Sequence, residues 1–231
     1  MPSLPTLDQL YHRAVEFPDP TARFNSLAIA FSATEDALAH QAAQHQLRGH
    51  RAIQHGEAHP EDVELTLYEL RKTADEVFPR VFRGGFLVSL WSLFESGVKD
   101  LGEYTRSKLL LPFGLQELRA GDFLDQMEKY FRKTLEITVF DDKETRKQIE
   151  LIKSFRNALA HHDGNLSEIP KALLNARTMD APCVQLFSDL HHEFGIPTAE
   201  YNASSLNVLS AVSSSLAKKV YAKLHPTNSE A

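Results

Sequence analysis

The chain has 231 residues, 42% hydrophobic and 24% charged. That is the composition of a globular protein with a core to bury and excludes a disordered chain. A formal net charge of −6 excludes a global attraction to nucleic acid or to an anionic membrane, so any RNA contact must come from a local basic patch.

Residues 1–17 lack a basic stretch followed by an apolar run and do not read as a signal peptide. Residues 7–16 suit a short helix, after which Pro18 and Pro20 break the chain. From residue 34 to about 55 the sequence is polar, Ala- and Gln-rich and free of proline. Thr34 with Glu35 and Asp36 behind it predicts a helix start there. The break at Gly56 is followed by Pro60-Glu61-Asp62, which opens a second run. This run extends to Leu110 with a break or kink expected between Pro79 and Gly84-Gly85. Beyond it, Leu87, Leu90, Trp91, Phe94, Val98 and Leu101 form an apolar stripe at helical spacing. The longest apolar-looking stretch, residues 86–94, holds Ser89 and Ser92 and is too short to span a bilayer.

Residues 115–137 read as helix, with Phe123, Leu124, Met127, Phe131 and Leu135 as its apolar positions. Asp141-Asp142 marks a loop and a new start. From residue 144 to about 161, Ile149, Ile152, Phe155 and Leu159 form one stripe, and Gly164 is placed as its C-terminal stop. Residues 165–200, with Pro170, Pro182 and Pro197, read as irregular apart from a short strand over 183–187. A last helix covers 203–224, and the tail is expected to fray. The expected fold is all-α: a helical bundle over 61–225, an N-terminal helical extension over 1–60 and a disordered tail over 226–231. Cys183 is the only cysteine, which excludes an intrachain disulfide and a thiolate metal cluster and fits a reducing compartment. A cytoplasmic protein without a membrane role is expected. There is no GxGxxG, no Walker A loop, no zinc-finger spacing and no internal repeat, so no cofactor or metal is expected.

The segment IELIKSFRNALAHHDGNL carries the chemistry. An apolar-periodic helix runs into Arg156, Asn157, His161, His162, Asp163 and Gly164. Asn157 and His161 are four apart and share a helix face, while Arg156 lies about 100° round from Asn157. The helix dipole favours cations at this end. A titrating imidazole beside a fixed guanidinium suits phosphoryl chemistry: the ring moves the proton and the guanidinium stabilises charge on phosphorus oxygens. A structural reading stands beside this one, because Arg and Asn at a helix end also bind backbone carbonyls or a neighbouring carboxylate.

The pattern Arg156-Asn157-x-x-x-His161 resembles the Arg-x4–6-His signature of HEPN domains. His162-Asp163-Gly164 is similar to family members that end this helix in a polar pair and glycine. Upstream, SLWSLFESGVKDL resembles the first core helix of several HEPN families, with a glutamate at Glu95, and GDFLDQMEKYFRKTL resembles the segment after it. The likeness covers about residues 80–224, within a HEPN-like domain over 61–225. It implies a metal-independent endoribonuclease in a toxin–antitoxin or anti-phage defence setting. RNA would be the substrate, a homodimer would bring two motifs into one cleft, and an antitoxin or other defence protein would be the partner. His161 would act as general base or acid, Arg156 would stabilise the phosphorane and Asn157 would orient phosphate or imidazole. Glu95 would hold Arg156 or His161 in place, although a glutamate flanking an apolar stripe is also an ordinary salt-bridge partner. His162 satisfies the signature as well, and Asp163 stands where some HEPN toxins carry a tyrosine that an antitoxin adenylylates. Other HEPN proteins bind a nucleotide or a protein without cutting RNA, which is the alternative expectation.

Other features are weaker. His40, His45, His50 and His55 recur every five residues, an offset of about 140° that spirals round a helix instead of converging on a metal. His191-His192 are adjacent and point apart. Arg132, Lys133, Lys143, Arg146, Lys147 and Lys153 gather before the motif. They could guide a nucleic-acid backbone, but interleaved acids make them read as a solvated face.

Overall fold

A computed structural model describes residues 16–56, 59–72, 76–119, 121–178, 181–188 and 193–226. It is mainly helical: α1 (Thr21–Gln54), α2 (Pro60–Lys72), α3 (Phe78–Leu109), α4 (Phe123–Leu135), α5 (Lys143–His162), the one-turn α6 (Lys171–Leu174) and α7 (Ala199–Leu224). Two small antiparallel sheets depart from an all-α fold. They pair β1 (Arg177–Thr178) with β2 (Ala181–Pro182), and β3 (Val184–Ser188) with β4 (Glu193–Pro197). Among the described residues no helix is long and apolar enough to cross a membrane. The helix expected over 7–16 and most of the C-terminal tail lie outside the described residues.

The chain divides into two compact units. One takes the described residues of Met1–Phe24, Ser92–Gln148 and Asn207–Ala231, and the other Asn25–Trp91 and Ile149–Leu206. In the first unit, Phe94, Val98 and Leu101 of α3, Leu124, Met127 and Phe131 of α4, and Leu209, Leu216 and Val220 of α7 are buried. Tyr130 is buried with them and donates its hydroxyl proton to the Gly102 carbonyl at 3.0 Å. The helix expected over 115–137 is divided in two, a 3-10 turn at Leu115–Glu117 and then α4. The capping box that starts α4 explains the break. Asp122 accepts the Asp125 N–H at 3.1 Å, and the Asp125 carboxylate accepts the Asp122 N–H at 3.4 Å. At the other end Glu136 is left-handed (φ 56°), and the Ile137 N–H bonds back to the Phe131 carbonyl at 3.2 Å.

α1 starts at Thr21, thirteen residues before the expected Thr34. Asp19 accepts the Thr21 N–H at 2.9 Å, and the Pro20 carbonyl accepts from Arg23 and Phe24. Thr34 instead bonds its hydroxyl to the Ala30 carbonyl one turn back, at 2.8 Å, as a mid-helix threonine does. Pro60 opens α2, as expected. α3 shows no interruption between Phe78 and Leu109. Pro79 falls in its first turn, directly after a π-helical turn at residues 76–77. Gly84 is a packing position: a Cβ there would touch Leu159 of α5 at 3.5 Å.

In the second unit Phe31 and Phe86 pack with ring centroids 4.2 Å apart. Leu87, Leu90, Trp91, Ile149, Ile152, Phe155 and Ile196 are buried. The strand expected over 183–187 is β3, and its register with β4 pairs Leu186 with Gly195 and Phe187 with Phe194. This hairpin packs closely at Gly195, where a Cβ would meet Ile169 at 2.5 Å and Val184 at 2.6 Å.

Asp122→Ala, which removes one half of the reciprocal cap, is expected to cost about 1 kcal/mol in a thermal or denaturant melt. An unchanged midpoint would show that α4 is held by packing alone.

Candidate functional site

Burial on α5 follows the expected stripe at Ile149, Ile152 and Phe155, while its fourth member, Leu159, is half-buried and Ala158 is buried instead. Arg156 and Asn157 are half-buried, and His161, His162 and Asp163 are exposed. The Phe155 ring packs 5.7 Å from that of Tyr201 on α7. That contact seats the residue just before Arg156, and burial raises the pKa of the Tyr201 hydroxyl. Arg156 Nη1 donates to Asn157 Oδ1 at 3.0 Å. With its oxygen so engaged, Asn157 presents its amide nitrogen as a donor. Arg156 Nε is buried without a hydrogen-bond partner, and among the described residues no carboxylate pairs with this guanidinium. The rings of His161 and His162 are 6.5 Å apart and steeply inclined, at 76°. They present different edges to solvent.

The helix ends in two successive left-handed residues, Asp163 (φ 52°) and Gly164 (φ 74°). The Gly164 N–H reaches back to the Ala158 carbonyl at 3.0 Å, and the Asn165 N–H to the His162 carbonyl at 2.9 Å. The β3–β4 hairpin supports the turn from outside, since the Gly195 N–H donates to the Gly164 carbonyl at 2.9 Å. Only a glycine fits at 164, because a Cβ would lie 2.7 Å from the Gly195 oxygen. Arg80 of α3 completes the cap. Its Nη2 bonds the Asp163 carboxylate, and the guanidinium lies 4.1 Å from the centre of the Phe194 ring.

The structure therefore brings Arg156 and Asn157 into contact and pairs Asp163 with Arg80, a partner that sequence reasoning missed. No local pattern ties Arg80 to Asp163, 83 residues away. Glu95 belongs to the other unit, where its carboxylate accepts from Lys99 Nζ at 2.6 Å. The basic residues before the motif are partly committed to acids. Arg146 bonds Asp125 at 2.9 Å and Glu128 at 3.1 Å, and Lys147 lies 3.8 Å from Glu144. Arg132, Lys133 and Lys143 are exposed. His40, His50, His55 and His59 are exposed, and among the described residues no three His, Cys, Asp or Glu side chains are grouped as metal ligands. His191 and His192 lie outside the described residues.

No family model matches the chain, and neither a curated protein nor a solved structure matches it.

Two glycine substitutions separate the turn from the helices. Gly164→Ala is expected to cost more than about 1 kcal/mol, from the left-handed backbone and the clash with the Gly195 carbonyl. Gly85→Ala, on α3 with nothing within 4 Å of the added Cβ, is expected to stabilise by about 1 kcal/mol. Equal effects in a denaturant titration would contradict the geometry of the turn.

Proposed function

We propose that the chain is a HEPN-type, metal-independent endoribonuclease, with Arg156, Asn157 and His161 as its working residues and a homodimer as its functional form. One observation carries the reading: the Arg156 guanidinium is half-buried, oriented by Asn157 and not neutralised by any carboxylate among the described residues. A structural arginine at a helix end ordinarily takes a carboxylate or free carbonyls as partners. A cation held in place without one is suited to an anionic ligand, and the exposed imidazoles one turn on supply proton transfer beside it.

In the proposed reaction an imidazole accepts the proton of an RNA 2′-hydroxyl. The 2′-oxygen bonds to the adjacent phosphorus, the phosphorus–5′-oxygen bond breaks, and the leaving oxygen takes a proton from the acid partner. The products are a 2′,3′-cyclic phosphate and a 5′-hydroxyl end. Arg156 stabilises charge on the non-bridging oxygens as the phosphorane forms. Asn157 holds the guanidinium and donates its amide to phosphate. His162 is one residue away and is the second imidazole of the site. Defence or toxin–antitoxin membership, with a protein partner, is the setting that the HEPN resemblance implies.

A second reading, a non-catalytic HEPN module that binds a nucleotide or a protein, is favoured by the burial of Arg156 Nε. A buried guanidinium edge contributes to packing whether or not RNA is cut.

The variants separate the two. Arg156→Ala and His161→Ala are each expected to lower RNA cleavage by at least about 10²-fold, the usual worth of a positioned acid–base or charge-stabilising group. Their melting temperatures should stay within a few degrees of wild type. Purified protein that cuts no RNA, with Arg156→Ala melting well below wild type, would favour the non-catalytic module.

A further inference from the structure

The Arg80–Asp163 pair has no assigned role beyond closing the helix. We infer that Arg80 is a further phosphate-binding residue of the site, with Asp163 as its resident counter-ion, displaced when an RNA phosphodiester binds. This rests on the proposal that the helix end receives RNA.

Position comes first. Arg80 bonds the residue two beyond His161 and touches its carbonyl as well as its carboxylate. Its guanidinium is therefore at the same end of α5 as both imidazoles. Chemistry comes second. A carboxylate and a phosphodiester offer a guanidinium the same pair of oxygens, so the occupant of one is a stand-in for the other. The strength of the contact comes third. The Asp163 side chain is 81% exposed and that of Arg80 33%. Exposed ion pairs of this kind are weak, so a competing anion does not have to overcome a buried bond. Counter-ion release from RNA adds to its side of the exchange.

Arg80 also keeps its place when the carboxylate leaves. Its flat face rests on Phe194, itself buried and stacked on Phe187 with centroids 5.7 Å apart. The neighbouring Arg83 shows the contrast. It is gripped by both oxygens of Glu35 at 2.8 Å, each side chain 19% exposed, and its charge is spent on that pair. The Glu35 bond holds the Arg83 pKa above its ordinary value. Arg80 has the exposure and the loosely held partner that Arg83 lacks.

The test uses the full chain and a fluorescent single-stranded 2′-O-methyl RNA oligonucleotide, which lacks the attacking hydroxyl and reports binding alone. Anisotropy titrations at low salt compare wild type, Arg80→Gln, Asp163→Asn and the double variant. Arg80→Gln is expected to weaken binding about tenfold, the scale of one hydrogen bond to a charged group, and to reduce the salt slope by about 0.7. Asp163→Asn, which keeps a residue tolerant of the left-handed turn, is expected to tighten binding several-fold. That gain should vanish in the Arg80→Gln background. A gain that persists there reflects only the removal of a negative charge and overturns the inference, as does unchanged binding by Arg80→Gln. Arg80→Lys, which keeps the charge without the planar fork, is expected to fall between wild type and Arg80→Gln.

The two readings fail separately. A coupled pair in a protein that cuts no unmodified RNA leaves the Arg80 contact standing and removes the nuclease. Cleavage at the wild-type rate by Arg80→Gln, with unchanged binding, removes the Arg80 contact and leaves the nuclease. A wild type that neither binds the oligonucleotide nor cuts unmodified RNA overturns both.

Discussion

The site depends on how α5 stops. A helix end leaves four carbonyls without partners and its last side chains free to fray. Here the Gly164 N–H returns to the Ala158 carbonyl while the Gly164 carbonyl receives the Gly195 N–H, so one residue both closes the helix and ties it to the hairpin. The tie requires two backbones without Cβ atoms to meet. A side chain at 164 would strike the Gly195 oxygen, and one at 195 would strike Ile169 and Val184. The hairpin has a direct bearing on the site, since it fixes the turn that follows His161 and His162 and supplies the Phe194 ring beneath Arg80.

Charge in this unit is distributed unevenly for a chain of net charge −6. Arg83 is neutralised by Glu35 in a half-buried, two-point contact. Arg80 is loosely met by an exposed aspartate, and Arg156 meets only the neutral oxygen of Asn157. The three guanidiniums thus form a series from spent to unspent charge, and the least neutralised sits in the sequence segment with the Arg-x4–6-His spacing. A buried donor such as Arg156 Nε is costly unless satisfied. Burial of that edge with the charge un-neutralised is why this arginine stands out from an ordinary helix cap.

Elements with a strong period were legible in the sequence. The α5 stripe, the Pro60 start, the strand over 183–187 and the stop at Gly164 follow from local chemistry: spacing, proline at a helix start, β-branched and aromatic residues, and glycine in a left-handed turn; the partner strand β4 was not expected. Boundaries set by competition between signals were not. Thr34 has the residues of a helix start, yet Asp19 and Pro20 begin the helix earlier and Phe24 and Phe31 bury along it. Pro79 and Gly84-Gly85 look like a break, yet α3 runs on past both, with a π-helical turn just before the proline, and Gly84 lets α3 approach Leu159. Among the candidate residues, Arg156, Asn157 and His161 were visible because they fall within six consecutive positions. Arg80 was not, because its link to Asp163 is made by the fold and leaves no pattern along the chain. Charge pairing was equally invisible: nothing in the basic run over residues 132–153 tells that Arg146 is committed to Asp125 and Glu128.

The proposed metal-independent reaction would leave a direct chemical signature in its products. The ends of RNA cut by the purified chain in excess chelator report which oxygen attacked phosphorus. The account predicts 2′,3′-cyclic phosphate and 5′-hydroxyl ends at a rate that chelator leaves unchanged. Products with 5′-phosphate ends, or cleavage that stops when divalent ions are removed, would mean that a metal-activated water attacks, and would contradict it.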